Sequence, residues 1–118
     1  MKLPIQYALG FPKRLKNDFI RFSFLDYSEL TFEKPDLKTF KNLELAYIAM
    51  EKGGNMPCVL NAANEIAVAA FLKDQIGFLN MSDLIGNCME KITFVANPSL
   101  DDYVETNKEA RMIAKKLL

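Results

Sequence analysis

The stretch at residues 55–73, NMPCVLNAANEIAVAAFLK, constrains the fold of this 118-residue chain most, because it is apolar on almost every face of a helix. A helix of that kind is stable only when other elements cover it, so it is predicted to be the central helix. Its five alanines let neighbouring helices approach closely. Asn55 and Pro57 mark its start, since Asn is predicted to cap the first N–H groups and Pro fits a first turn.

Three polar residues interrupt this helix. Asn61, Asn64 and Glu65 stand at positions i, i+3 and i+4, so they share one face. An unpaired buried amide or carboxylate costs roughly 1–3 kcal/mol or more, so we expect hydrogen bonds to adjacent backbone or water. We interpret the three as a structural polar face that ties the helix to the surrounding loops. The alternative is that Glu65 is an acid/base group or metal ligand, although the chain has no histidine and no second carboxylate nearby in sequence.

Composition excludes some partners. Fifteen basic and fifteen acidic residues leave no net charge, and the basic residues are scattered, so neither nucleic acid nor a membrane surface is expected to bind. The first residues do not resemble a signal peptide, which predicts a cytoplasmic protein. Cys58 and Cys88 lie in apolar helical pattern without CxxC spacing, and we interpret both as reduced core thiols.

The chain after Pro35 has helical periodicity throughout. One helix is predicted to run to about Lys52, capped by Asp36 or Thr39. Its apolar residues at three- and four-residue steps are predicted to face the core, and they are Leu37, Phe40, Leu43, Ala46, Tyr47 and Met50. The central helix follows, then a helix from about residue 80, then a last helix capped by Ser99. Four helices with short connections predict a compact antiparallel bundle over residues 35–118.

Residues 1–34 have a different pattern. Pro4 opens a short predicted helix, and residues 19–32 then alternate between apolar and polar in a way that predicts two short strands around a turn. Two short strands cannot bury their apolar face between themselves. The predicted fold is therefore mainly α, a four-helix bundle preceded by a short α/β segment.

Motifs of catalysis are absent from the sequence. It contains no GxGxxG, P-loop, HExxH or GxSxG pattern. Gly53 and Gly54 are interpreted as a helix stop, because no strand precedes them and no Lys-Ser/Thr follows. Pattern alone therefore indicates a helical bundle with a β segment that lacks a partner.

Three blocks of sequence support a more specific assignment than the pattern of apolar residues does. PIQYALGFPKR at 4–14, SELTFEKPD at 28–36 and GGNMPCVLNAANEIAVAAFL at 53–72 together resemble the C-terminal part of the 1-deoxy-D-xylulose 5-phosphate reductoisomerase family, and the likeness runs essentially end to end. That family has an N-terminal Rossmann domain, a central catalytic domain with a metal site, and a C-terminal helical bundle. The resemblance implies that residues 1–34 are the tail of the catalytic domain and that residues 35–118 are the bundle domain.

The resemblance also implies a function. The parent enzyme converts 1-deoxy-D-xylulose 5-phosphate to 2-C-methyl-D-erythritol 4-phosphate in non-mevalonate isoprenoid biosynthesis, with NADPH and Mg²⁺ or Mn²⁺. The family's cofactor and metal motifs precede Met1, so this fragment is expected to hold neither and to be inactive alone. Met1 corresponds either to a residue lining the substrate pocket or only to an initiating methionine. The implied partners are the rest of the parent enzyme and a second copy through residues 19–32. The alternative is a free-standing helical protein-interaction module.

Overall fold

A computed structural model describes residues 2–118, which form α-helices and irregular segments and no β-strand. The helices are α1 (Lys2–Gly10), α2 (Lys41–Lys52), α3 (Met56–Phe71), α4 (Phe78–Lys91) and α5 (Leu100–Leu117). The chain divides into two compact units, Met1–Glu33 and Lys34–Leu118. The predicted mainly α fold class is confirmed. Within the described residues, no helix is both long enough and apolar enough to cross a bilayer.

Helix α3 is the centre of the bundle unit, as predicted. It packs against α2, α4 and α5. Met56 and Val59 on α3 are completely buried, and burying side chains of this size stabilises the fold by about 1.5–3 kcal/mol each. Small residues on the facing helices, Ala110 and Ala114 on α5, are also completely buried. Alanine on both sides allows α3 and α5 to pack at close range.

The start of α5 follows the sequence prediction. The Ser99 hydroxyl accepts a hydrogen bond from the Asp102 backbone N–H at 3.2 Å, and the Asp102 carboxylate accepts one from the Ser99 backbone N–H at 2.8 Å. The two bonds make a capping box, which satisfies donors that the first helical turn leaves free. Lys115 and Lys116 occupy the last turn, where positive charge complements the helix dipole.

The start of α2 differs from the prediction. The helix begins at Lys41, and neither Asp36 nor Thr39 caps it, because its N-cap is Phe40. The Asp36 carboxylate instead accepts hydrogen bonds from the backbone N–H groups of Lys38 and Thr39 at 2.9 and 3.1 Å. The Asp36 carboxylate that could have capped the helix is therefore used in a local turn, and the helix begins several residues later, at Lys41.

The apolar stripe predicted on α2 points away from the core. The buried residues of α2 are Leu45 and Ala49, one helical turn apart. The predicted core residues are exposed, and they are Leu37, Phe40, Leu43, Ala46, Tyr47 and Met50. The helix therefore has two apolar faces, and the smaller one packs inward. Periodicity detects apolar faces but does not tell which of two faces the partner helices cover.

The unit Met1–Glu33 contains α1, as predicted, but not the two strands predicted within residues 19–32. The predicted α/β segment is therefore corrected to one helix followed by irregular chain. Aromatic rings contact one another where the strands were predicted. The Phe22 ring meets the Phe24 ring edge to face at 4.9 Å and stacks on the Tyr27 ring at 5.2 Å, measured between ring centroids. A strand pair needs further strands or a packed face for stability, and no strand lies within residues 2–118 to supply one.

Candidate functional site

The most completely enclosed polar side chain of the bundle is Asn55, which lies between α2 and α3 and has no exposed surface. Its backbone N–H donates to the carbonyl oxygen of Val95 at 3.0 Å. The Val95 N–H donates to Asn55 Oδ1, also at 3.0 Å. This reciprocal pair joins the α2–α3 loop to the α4–α5 loop.

The amide nitrogen of Asn55 makes two further bonds. Asn55 Nδ2 donates to the carbonyl oxygen of Thr93 at 3.0 Å and to the hydroxyl oxygen of Thr106 at 3.2 Å. Thr106 is itself buried on α5. We call Asn55, Thr93, Val95 and Thr106 the Asn55 junction. One side chain thus satisfies the buried Thr106 hydroxyl, which would otherwise be costly to bury, and two loop groups through partly buried bonds.

Asn55 occupies the N-cap position of α3, as predicted, but its side chain does not cap the helix. It has helical backbone angles (φ −81°, ψ −3°), and its side chain makes no capping bond to α3. A cap requires extended backbone at this position so that the side chain can turn back onto the first N–H groups. In this structure the side chain points to the α4–α5 loop instead.

Two glycines bring the loops together. Gly53 and Gly54 both have positive φ, +65° and +56°. A Cβ on Gly54 would lie 2.3 Å from the carbonyl oxygen of Val95, whereas a Cβ on Gly53 would meet nothing within 4 Å. The Asn55–Val95 pair of hydrogen bonds therefore requires a residue without a Cβ at position 54, so that the Val95 carbonyl can approach the backbone there.

Helix α5 contacts the same loop. The Tyr103 hydroxyl donates to the carbonyl oxygen of Gly54 at 3.3 Å, and the Cys58 thiol lies 3.6 Å from the carbonyl oxygen of Tyr103. Lys52 places its ammonium group 5.2 Å from the centre of the Phe94 ring. The polar side chains of Tyr103, Cys58 and Lys52 around the Asn55 junction thus contact backbone carbonyls or an aromatic ring of the same bundle.

The polar face predicted on α3 lies largely at the surface. Asn61 and Glu65 are exposed and Asn64 is half-buried. Asn61 donates from Nδ2 to Glu65 Oε1 at 3.2 Å, and the Arg111 guanidinium donates to Glu65 Oε2 at 2.5 Å. The structure thus brings Asn61 and Glu65 together and adds Arg111 of α5, while Asn64 makes no hydrogen bond to either. The hydrogen-bond partners of Asn61 and Glu65 in the structure are side chains, whereas the sequence led us to expect adjacent backbone or water.

The Glu65 carboxylate is held in its charged form. The hydrogen bond from Arg111, the charge of Arg111 and the hydrogen bond from Asn61 together lower the pKa of Glu65. A lowered pKa suits an ion pair and not a general acid, which needs a raised one. Arg111 is held in turn by Asn107, whose Oδ1 accepts from Arg111 Nε at 3.0 Å.

The described residues do not fit a metal ion. Within residues 2–118, no three or more His, Cys, Asp or Glu side chains gather in a way that could ligate one. Cys58 and Cys88 are free, and burial raises the pKa of both thiols, so neither has the thiolate character of a ligand or nucleophile. Met1 lies outside the described residues.

The sequence carried a weak signal for the Asn55 junction. Asn55 directly follows two glycines and precedes a helix that is apolar on almost every face, and Thr106 interrupts the apolar side of α5. A polar residue on each of two core-facing positions suggests a pair. The two lie 51 residues apart, and nothing in the spacing of either shows that they meet.

Fold and site together define the class of protein: a helical-bundle domain whose buried polar groups join its own loops. The model of the family described as "DXP reductoisomerase C-terminal domain" matches residues 1–113. The chain belongs to this family of reductoisomerase C-terminal domains.

Curated relatives extend the match over the whole chain. A 1-deoxy-D-xylulose 5-phosphate reductoisomerase of Bacteroides thetaiotaomicron is 58% identical over all 118 residues, and one of Bacteroides fragilis is 55% identical over the same length. This chain covers 30% of each of these relatives. It therefore spans a little under a third of the length of the curated relatives it matches.

Solved structures match in the same way. A 1-deoxy-D-xylulose 5-phosphate reductoisomerase from Zymomonas mobilis in complex with NADPH is 39% identical, with a TM-score of 0.86 over 98% of this chain and 31% of that one. A DOX-P reductoisomerase in complex with magnesium is 30% identical, with a TM-score of 0.84. The fold of residues 2–118 is thus that of one portion of these longer proteins.

Proposed function

We propose that this chain is the C-terminal fragment of an NADPH-dependent reductoisomerase that converts 1-deoxy-D-xylulose 5-phosphate to 2-C-methyl-D-erythritol 4-phosphate. The observation that carries the proposal is the identity of 55–58% over the entire chain to reductoisomerases three times as long. The free-standing interaction module has no such support, because the relatives described above are all named reductoisomerases. We further propose that the parent enzyme acts in the cytoplasm.

The role of the bundle in this proposal is structural. Its buried polar groups are engaged in the Asn55 junction, and the carboxylate of Glu65, the candidate acid/base group of the sequence analysis, is engaged by Arg111. Asn61, Asn64 and Glu65 are accordingly proposed to stabilise the bundle and to take no part in chemistry. NADPH and the divalent metal are proposed to bind the part of the enzyme outside these 118 residues, because the sequence contains no dinucleotide-binding GxGxxG pattern and the described residues offer no metal-ligand cluster.

The unit Met1–Glu33 is proposed to be the tail of the catalytic domain, with residues 35–118 as the bundle domain. Apolar residues of this unit are widely exposed: Ile20 and Leu25 are fully or almost fully accessible, and Phe24 and Phe32 largely so. Exposed apolar surface of this extent is typical of an interface. We propose that residues 19–32 contact a second copy of the chain, in addition to the rest of the parent enzyme.

A domain exchange tests the proposed function. The corresponding portion of the Bacteroides thetaiotaomicron reductoisomerase is replaced by this chain, and NADPH oxidation with 1-deoxy-D-xylulose 5-phosphate is measured. We expect the chimera to retain turnover within about tenfold of the parent, because the bundle supplies support and not reacting groups. A folded chimera without activity would contradict the assignment. A chimera ending before the bundle is the negative control.

A further inference from the structure

The unit Met1–Glu33 has a concavity with a basic lining. It measures about 270 Å³ and lies between α1 and the irregular chain that follows this helix. Its charged residues are all cationic and are accompanied by two amides: Arg14, Lys16 and Arg21, with Gln6 and Asn17. Among the described residues, no Asp or Glu lines it. We call this feature the basic concavity.

The three cations of the basic concavity have no carboxylate partner within residues 2–118. The ion pairs of those residues all lie in the other unit, and they are Lys41–Glu44, Glu105–Lys108 and Glu65–Arg111. Like charges around one concavity repel one another, and this repulsion is offset when an anion lies between them. The arrangement therefore favours a negatively charged ligand.

Contacts within the unit hold the lining of the basic concavity in place. The guanidinium carbon of Arg14 lies 5.1 Å from the centre of the Tyr7 ring, and stacking of this kind fixes the plane of an arginine. Asn17 Nδ2 donates to Gln6 Oε1 at 2.7 Å, and Asn17 Oδ1 accepts from the Phe19 N–H at 3.0 Å. Because the ring contacts only the face of the guanidinium, the N–H groups at its edge stay available to an oxyanion.

A second basic surface, on α5, differs in its charge balance. Lys108 Nζ lies 3.9 Å from Glu105 Oε2, and Arg111 is paired with Glu65. These charges are therefore partly neutralised within the bundle. Lys115 lies on the same surface, is exposed, and has no ion pair within residues 2–118. It offers a matched control, since its removal deletes the same charge from a different place.

We propose that the basic concavity binds a phosphate group, either as the free ion or as a phosphate monoester. Phosphate oxygens match the planar fork of an arginine, which donates two parallel N–H bonds, and a lysine adds a compact positive charge. The inference goes beyond the proposed function and does not depend on it, because every residue involved lies in this chain and the readout is binding.

Titration of the 118-residue chain with inorganic phosphate tests the site, with the ionic strength held constant by sodium chloride. Nitrogen–proton NMR spectra follow the backbone amides and the arginine Nε–H groups. We expect saturable shifts at Arg14, Lys16 and Arg21. Glycerol 3-phosphate is the second probe. If it binds more tightly by at least about threefold, the ligand is a monoester, and equal affinity identifies the free ion.

Substitutions locate the binding. Arg14→Gln is expected to weaken phosphate binding about tenfold, because it removes charge-assisted hydrogen bonds. Arg14→Lys keeps the charge but loses the fork, so its affinity is expected to fall between those of Arg14→Gln and the unchanged chain. Lys16→Gln and Arg21→Gln leave the stack of Arg14 on Tyr7 intact and are each expected to weaken binding about threefold. The control Lys115→Gln is expected to change the dissociation constant less than about twofold.

Three results overturn the proposal. Shifts that do not saturate, or that sodium chloride reproduces, show only screening of surface charge. Equal affinity of the unchanged chain and the Arg14→Gln variant shows that phosphate binds elsewhere. Shifts of the same residues that grow with protein concentration in the absence of phosphate show that carboxylates of a second copy occupy the basic concavity. None of these results depends on turnover, so the failure of this proposal is distinguishable from the failure of the proposed function.

Discussion

Asn55 and Val95, forty residues apart, are joined by a reciprocal pair of hydrogen bonds, each 3.0 Å long. One bond runs from the Asn55 backbone to the Val95 carbonyl, and the other from the Val95 backbone to the Asn55 side chain. The pair resembles one step of a β-ladder in which an amide side chain replaces a backbone carbonyl. It closes the junction between the two loops at which α2, α3, α4 and α5 meet.

Asn55→Ala is expected to destabilise the bundle strongly. The change leaves the Val95 N–H, the Thr93 carbonyl and the Thr106 hydroxyl without their partner. An unsatisfied buried group costs about 1–3 kcal/mol, so a total loss of about 2–5 kcal/mol is expected in urea unfolding. The control Asn61→Ala removes an exposed amide and is expected to cost less than about 0.5 kcal/mol. Equal losses in the two variants would refute the role of Asn55.

Gly54→Ala and Gly53→Ala form a second matched pair. Both replace a glycine at positive φ, which costs roughly 1–3 kcal/mol of strain. Only the Gly54 variant also drives a Cβ into the Val95 carbonyl. We therefore expect thermal unfolding to show a clearly larger loss for Gly54→Ala. If Gly53→Ala is the more damaging change, the close approach at Gly54 does not limit the junction.

Acid is expected to weaken the surface contacts of Glu65 and the cap of α5. The pKa of Glu65 is lowered by Arg111, and the pKa of Asp102 is lowered by hydrogen bonds from the Ser99 side chain and backbone. A carboxyl group whose folded pKa lies below its unfolded pKa stabilises the fold above the unfolded value. That contribution is lost as the pH falls through the folded value.

The loss of these contributions is checked by measuring the melting temperature between about pH 7 and about pH 2. This range is chosen because ordinary Asp and Glu side chains titrate near about 4. Glu65→Gln is expected to make the decline at low pH shallower, and Arg111→Gln is expected to do the same. Both effects are expected to be small at neutral pH because the Glu65–Arg111 pair is partly exposed to solvent. A Glu65→Gln profile parallel to that of the unchanged chain would speak against the ion pair.

Residues 19–32 are expected to drive self-association. Light scattering should give a dimer or larger species for the full chain and a monomer for a chain beginning at Lys34, because the exposed aromatics are then removed. Phe24→Asp, at a position 74% exposed, should shift the full chain towards monomer. A monomeric full chain that binds little apolar dye would count against this interface.

The sequence predicted those features of the bundle that depend on local pattern. The central position of α3 followed from its being apolar on almost every face, and the Ser99 cap of α5 followed from a residue type that commonly caps helices standing before an apolar periodic run. Both are short-range properties, so neither requires knowledge of the partner helices.

The features that the sequence did not predict depend on distant partners. The Asn55 side chain leaves its own helix because the α4–α5 loop offers more partners. Helix α2 turns Leu45 and Ala49 inward, although its other face has more apolar residues. Alternation at residues 19–32 suggested strands, but a strand pair is marginal without additional pairing or packing. The candidate site was anticipated as a polar face on α3, whereas the buried polar centre lies one residue before that helix.

The central claim is that this chain supports a reductoisomerase and does not itself carry the chemistry. Calorimetric titration of the 118-residue chain with NADPH and Mn²⁺, followed by an assay of NADPH oxidation with 1-deoxy-D-xylulose 5-phosphate, tests it most directly, with the full-length Bacteroides thetaiotaomicron relative as positive control. We predict no saturable heat from either ligand and no oxidation of NADPH by the chain alone. Saturable binding together with turnover would contradict the account.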